Sequence, residues 1–287
     1  MGSGLLSFRK AALLVSVFAI LGATLQGGSV MKTIGKGIVT SELPTAAIIT
    51  ALLCSGLFVT LATLFRLPVS TSQSIVGGVA GVGLAAGADV NFSKILTIVE
   101  VWILCPILTG ILAFFIYWLT SRLLARLKSD SIWQRIPNAL LILSACYVAF
   151  SMGANNVGNA MGPIANLGIR SSWLVVIGGV ALALGTLTFG RRVAEAVGGG
   201  ITQLDPVSAG AAQMAAAVAI HYFSHLGIPV STSQAVVGAV IGVGIMHGLR
   251  TVSRRKIANI AAGWVATPAV AGLFSFTLYR VILALTA

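Results

Sequence analysis

The chain has 287 residues, 57% of them hydrophobic and 8% charged, with a formal net charge of +12. Soluble domains carry about 25% charged residues, so a soluble globular protein is excluded. The apolar runs lack the residue-by-residue alternation of barrel strands, and the basic residues sit at the ends of those runs, as membrane orientation demands, which argues against a nucleic-acid-binding surface.

In chain order the apolar runs fall at 11–26, 46–65, 95–119, 140–151, 173–189, 209–223 and 257–285. Several reach the roughly 20 residues that cross a bilayer as a helix. The fold class is therefore an all-α polytopic membrane protein. Arg9-Lys10 followed by apolar 11–21 has the look of a signal peptide. That reading is set aside because run 11–26 has a counterpart at 173–189.

The counterpart belongs to an internal repeat. "PVSTSQSIVGGVAGVG" at 68–83 returns as "PVSTSQAVVGAVIGVG" at 229–244, and over 67–83 against 228–244 12 of 17 positions are identical. The register holds outside the phrase: "VWILCP" with Trp102 and Pro106 matches "GWVATP" with Trp264 and Pro268, and "GKGIVTSELP" (35–44) matches "GGGITQLDP" (198–206). The predicted division is a first repeat at 1–123, a basic cytoplasmic linker at 124–135 and a second repeat at 136–287. The second repeat opens with a helix at about 136–153 and the phrase "GANNVGNAMG" (153–162), for which the first repeat shows no equivalent. The simplest expectation is that a matching helix and motif precede Met1 in an ancestral or full-length chain.

Further helices are predicted at 171–189, 206–226, 231–248 and 257–284, giving about nine membrane segments in all. If all five in the second half cross, the count is odd and the repeats are inverted. With loop 122–135 placed in the cytoplasm, 13 of the 18 basic residues fall on that side, in keeping with the positive-inside rule. Inverted repeats with a site at their interface are the signature of secondary transporters, and no intramembrane catalytic cluster is apparent, so an enzyme is not expected.

Ser70 followed three residues later by Gln73 has the spacing of a capping box. Helix starts at Ser70 and Ser231 would offer free N–H groups, a positive dipole end and hydroxyls to an anion. The candidate substrate-binding residues are therefore Ser70, Thr71, Ser72 and Gln73 with Ser231, Thr232, Ser233 and Gln234. The bland alternative is two well-capped helix starts. In "GANNVGNAMG", Asn155 and Asn159 share a helix face with Asn156 beside them, and the flanking glycines suggest a broken helix with exposed carbonyls. These three are the candidate cation-binding residues, as Na⁺ ligands or as part of the anion cage; interhelical hydrogen-bond glue is the alternative.

Among the six acids, Glu42 and Asp205 read as loop or helix-start residues, and Glu100 as either an ion site or an interface residue. His221 and His225 share a helix face near its end; with no third ligand evident they read as interface residues rather than a metal site. The tryptophans read mostly as interfacial anchors, and Cys54, Cys105 and Cys146 as small core residues.

"GANNVGNAMG", the paired "PVSTSQ" phrases and the W…P helices together resemble the inorganic phosphate transporter (PiT) family over nearly the whole chain. The resemblance implies a carrier of inverted repeats that moves phosphate with Na⁺ or H⁺. It places Asn155, Asn156 and Asn159 with Ser70, Thr71, Ser72, Ser231, Thr232 and Ser233 at the substrate and cation sites. The chain departs from the pattern where the family has Asp and this sequence has Asn156, and where the family has His and it has Gln73 and Gln234. Losing that carboxylate opens sulfate as a second candidate, since sulfate carries no proton at neutral pH; a degenerate, non-transporting membrane protein is a third. The expected partners are phosphate or sulfate, Na⁺ or H⁺, the lipid of a plasma membrane, and a second copy in a homodimer. No nucleic acid, no cofactor and no resident metal are expected.

Overall fold

In the computed structural model of the protein the described residues are 6–65, 69–126, 130–197, 205–246 and 254–286. Among them are nine α-helices: α1 (Phe8–Lys32, extended by a π-helical turn, Thr33–Gly37), α2 (Thr45–Leu64), α3 (Thr71–Ala85), α4 (Phe92–Leu124), α5 (Asp130–Met161, followed by the 3₁₀ turn Pro163–Asn166), α6 (Ser171–Val197), α7 (Pro206–His225), α8 (Thr232–Met246) and α9 (Arg254–Thr286). Six of them carry a stretch long and apolar enough to cross a membrane. Helices α3 and α8, of 15 residues each, are about 22 Å long at ~1.5 Å per residue, shorter than the ~30 Å hydrocarbon core.

Local chemistry sets the helix starts. Asp205 caps α7 by accepting from the N–H groups of Val207 (2.9 Å) and Ser208 (3.1 Å), as its position beside Pro206 predicts. Asn91 caps α4 through Lys94 N (2.9 Å). Glu42 lies exposed in the loop before α2, and Glu100 is exposed on α4 rather than in the interior. All three cysteines are buried and free, in line with small core residues.

The repeats interlock crosswise. Helix α3 lies on α9 and α8 on α4; α2 also meets α9, as α7 meets α4. The contacts that hold them are repeat-related residue by residue. A Cβ added at Gly77 would lie 2.2 Å from Pro268 O and one at Gly81 2.2 Å from Gly272 O. In the other half a Cβ at Gly238 would meet Pro106 O at 2.1 Å and one at Gly242 would meet Gly110 O at 2.0 Å. Small residues let the backbones approach this closely where hydrocarbon supplies no hydrophobic drive between helices.

The sense of the repeat follows from α1 and its equivalent α6. The added Cβ at Gly27 lies 3.5 Å from Val175, whereas that at Gly179 lies 3.5 Å from Ala23 and Ile20. As α1 advances α6 recedes, so the equivalent helices are antiparallel and the repeats are inverted. Helix α5, which has no first-repeat counterpart among the described residues, is wedged between α1 and α7.

The glycines of "GANNVGNAMG" do not break α5, which runs unbroken to Met161. They serve close packing instead: an added Cβ would lie 2.0 Å from Ala19 O at Gly153 and 2.6 Å from Val30 Cβ at Gly158. The expectation of exposed carbonyls there is corrected, because a helix pressed against α1 keeps its own backbone bonds.

Candidate functional site

Helix α5 carries Ser144, Tyr147, Ser151, Asn155 and Asn159 at steps of three or four residues, hence on one face. Asn155 and Asn159 lie on the part of that face which meets the two hydroxyl tips. Asn159 Nδ2 donates to Ser72 Oγ at 2.7 Å, and Ser72 Oγ in turn donates to Val230 O at 2.6 Å. Asn155 holds both backbone polar groups of that same residue: Nδ2 donates to Val230 O at 2.8 Å and Oδ1 accepts from Val230 N at 3.1 Å. Asn155 Nδ2 also lies 3.4 Å from Ser72 Oγ and 3.3 Å from Asn156 Oδ1. The start of α3, the lead-in to α8 and the middle of α5 thus meet at one point, where Ser72, Asn155 and Asn159 are all buried.

The sequence places Ser72 with the substrate residues and the asparagines with a cation; the structure brings them together. Ser70 and Ser231 are N-caps, accepting from Gln73 N at 3.4 Å and Gln234 N at 3.3 Å. The reciprocal half of the capping box is absent: Gln73 Oε1 and Gln234 Oε1 are buried without a hydrogen-bond partner, as is Asn159 Oδ1. The glutamines stand inside protein, not at the water-exposed helix start where a capping box closes. Ser233 Oγ pairs with Ser231 Oγ at 2.9 Å. Thr71 is exposed and Thr232 and Asn156 are half-buried.

Trp102 corrects the reading of the tryptophans as interfacial anchors. It is 4% exposed, and its Nε1 donates to Pro229 O at 2.9 Å, tying α4 of the first repeat to the lead-in of α8. Its equivalent, Trp264, has a buried Nε1 with no partner; Pro68, the equivalent of Pro229, lies outside the described residues.

The sequence reading missed Val230, whose peptide N–H and C=O are the central connection and carry no side-chain signature. It also passed over the polar stripe of α5, which was visible as helical periodicity, and its partners on α7: Ser144 Oγ donates to Gln213 Oε1 at 3.0 Å and Ser151 Oγ to Ala217 O at 3.0 Å.

The electrostatics are unusual for an anion site. Among the described residues the buried polar side chains are those of Ser, Thr, Asn and Gln, with no Asp, Glu, Lys or Arg. Positive potential there comes from the N-terminal ends of α3 and α8. No group of three or more metal-ligating side chains occurs among the described residues. Beyond Asn159, at the end of α5, a cavity of about 270 Å³ is lined by residues that include Ser41, Glu42, Pro163 and Asn166.

Inverted repeats that bring two half-length helix tips together in the interior define a polytopic membrane transporter. The family model described as "Phosphate transporter family" matches residues 1–137 and 125–275, and the chain belongs to that family. A Thermococcus kodakarensis relative named "Putative phosphate permease" is 30% identical over 98% of this chain and 91% of its own. A Methanocaldococcus jannaschii protein of the same description is 31% identical over 96% of this chain and 86% of its own. A solved structure titled "The sodium-dependent phosphate transporter" superposes with a TM-score of 0.88 at 27% identity, covering 99% of this chain and 92% of that one.

Proposed function

We propose that the chain carries inorganic phosphate across the plasma membrane with Na⁺ or H⁺ as the coupling cation. The observation that carries this reading is the convergence of two capped helix starts on a buried centre without charged side chains. A helix N-terminus supplies free N–H donors and a partial positive charge, and two of them hold an oxyanion without an arginine that would bind it too tightly to release. Thr71, Thr232 and the backbone N–H groups at both tips contact the anion, with Ser70, Ser72, Ser231 and Ser233 supporting them. The Gln73 and Gln234 amides, whose oxygen and nitrogen ends exchange by a 180° turn, present NH₂ to the anion.

Asn159 Oδ1, buried and unpaired, is the first ligand for a coupling cation, beside Asn156. Asn155 Oδ1 already accepts from Val230 N, which leaves it one lone pair. Transport proceeds by one repeat rocking against the other. In this state the first repeat's Ser72 and Trp102 engage the second repeat at Val230 and Pro229. In the opposite state Ser233 and Trp264 make the equivalent contacts.

Uptake of labelled phosphate into proteoliposomes, with sulfate as competitor and with and without a Na⁺ gradient, tests the reading. Phosphate uptake that excess sulfate leaves in place supports it; uptake of sulfate in preference to phosphate, or of neither, overturns it.

A further inference from the structure

We propose that His221 carries the proton that couples transport in this chain, an inference that rests on the phosphate-carrier reading. His221 lies on the face of α7 that meets the polar stripe of α5. Its ring is stacked on Phe150, with centroids 5.7 Å apart and planes 21° apart, and sits 5.5 Å from the ring of Tyr147. Its Nε2 is 3.1 Å from Gln26 Nε2, so α1 of the first repeat and α7 of the second meet at this ring. Asn155 and Asn159, which grip Val230 and Ser72, follow Phe150 along α5 by roughly one and a half and two and a half helical turns.

The hydrogen-bond inventory at this ring is incomplete in a directed way. Gln26 Nε2 donates to the lone pair on His221 Nε2, which puts the ring proton on Nδ1. His221 Nδ1 and Gln26 Oε1 are both buried without a partner. When the ring takes up a second proton, Nε2 becomes a donor, and a 180° turn of the Gln26 amide offers it the oxygen that is now orphaned. The pair is therefore built to hold either protonation state, with Gln26 changing ends as the charge comes and goes. The proton adds at one ring nitrogen from one side of the membrane and leaves from the ring to the other, so nothing is oxidised or reduced.

Imidazole is the side chain whose ordinary titration falls nearest neutral pH. The titratable groups facing it are Tyr147 from α5 and His225 on its own helix; Tyr117 of α4 packs on the apolar cluster that α4, α7 and α8 share. Lys32 and Lys36 at the end of α1 and Glu100 of α4 are exposed, and α8 has no titratable side chain. Among the described residues an imidazolium here meets no fixed counter-charge, and the anion at the tips is its compensation. Anion and proton stabilise each other's presence, which is the thermodynamic content of symport.

The test uses the full chain in proteoliposomes with labelled inorganic phosphate. The wild type accumulates phosphate when an inward proton gradient is imposed and also exchanges phosphate without a gradient. His221→Gln keeps exchange within about twofold and loses gradient-driven accumulation. Gln26→Glu, which places a carboxylate beside the ring, moves the midpoint of the uptake–pH profile to higher pH; this shift decides the matter if His221→Gln loses exchange through misfolding. Accumulation by His221→Gln at the wild-type level, or an unmoved midpoint in Gln26→Glu, overturns the proposal. A wild type that exchanges phosphate but does not respond to the proton gradient overturns the proton role alone, and one that exchanges no phosphate overturns the carrier reading with it.

Discussion

The indole nitrogen of Trp102 donates to the carbonyl oxygen of Pro229 at 2.9 Å, a bond between repeats whose counterpart from Trp264 is unmade. Thr71, at the first tip, is exposed while Thr232, at the second, is half-buried. Two equivalent halves with unequal contacts are what one end state of a rocking carrier looks like. Trp102→Phe keeps an aromatic ring, smaller than indole, and deletes the donor, at a cost of ~1 kcal/mol or more to this state, or roughly fivefold or more in the equilibrium. Impermeant-thiol labelling should then fall at Thr71→Cys and rise at Thr232→Cys, whereas Trp264→Phe, which deletes a donor used only in the opposite state, should move both rates the other way.

Glycine substitutions should separate packing from exposure. Gly238→Ala drives a methyl to within 2.1 Å of a backbone oxygen on α4, so the helices must part, at ~1–3 kcal/mol or more. Gly185→Ala meets nothing within 4 Å and removes a flexible residue from a helix. Thermal stability in detergent should drop for the first and hold or rise for the second.

Asn155→Ala removes two hydrogen bonds and leaves the buried N–H of Val230 unpaired, while Val230 O keeps its bond from Ser72 Oγ. The orphaned N–H costs ~1–3 kcal/mol. The variant should melt lower than Asn156→Ala, because half-buried Asn156 is linked to the network by a single 3.3 Å contact.

Restoring a carboxylate by Asn156→Asp should strengthen Na⁺ dependence, since ligand charge tunes an oxygen-ligated cation site. It should also raise the phosphate-to-sulfate preference, because a carboxylate accepts the proton of HPO₄²⁻ and only repels sulfate. Uptake of both anions at varied Na⁺ reads out both effects.

The duplicated "PVSTSQ" phrase made the repeat, the two tips and their N-caps legible from sequence, because capping is a local matter of residue type and spacing. The join between the tips was not legible, because it runs through the Val230 peptide, and a peptide has no residue signature. The burial of Trp102 was hidden for a related reason: a tryptophan near a helix end suits a membrane interface until a partner carbonyl from 127 positions away is brought against it. Gly153, Gly158 and Gly162 suggest a break when read locally, and only the presence of α1 shows them to be a contact face.

The central claim is that two helix tips hold the phosphate without a charged side chain, and equilibrium binding of labelled phosphate to the purified protein tests it most directly. Of the tip hydroxyls, those of Ser70, Ser72, Ser231 and Ser233 are engaged in caps or in bonds to one another and to Val230, which leaves Thr71 and Thr232 for the anion. Thr71→Val and Thr232→Val should each weaken binding by ~1 kcal/mol or more, about fivefold in Kd, and the double variant by correspondingly more, with thermal stability unchanged. A folded double variant that binds phosphate as tightly as the wild type would contradict the account.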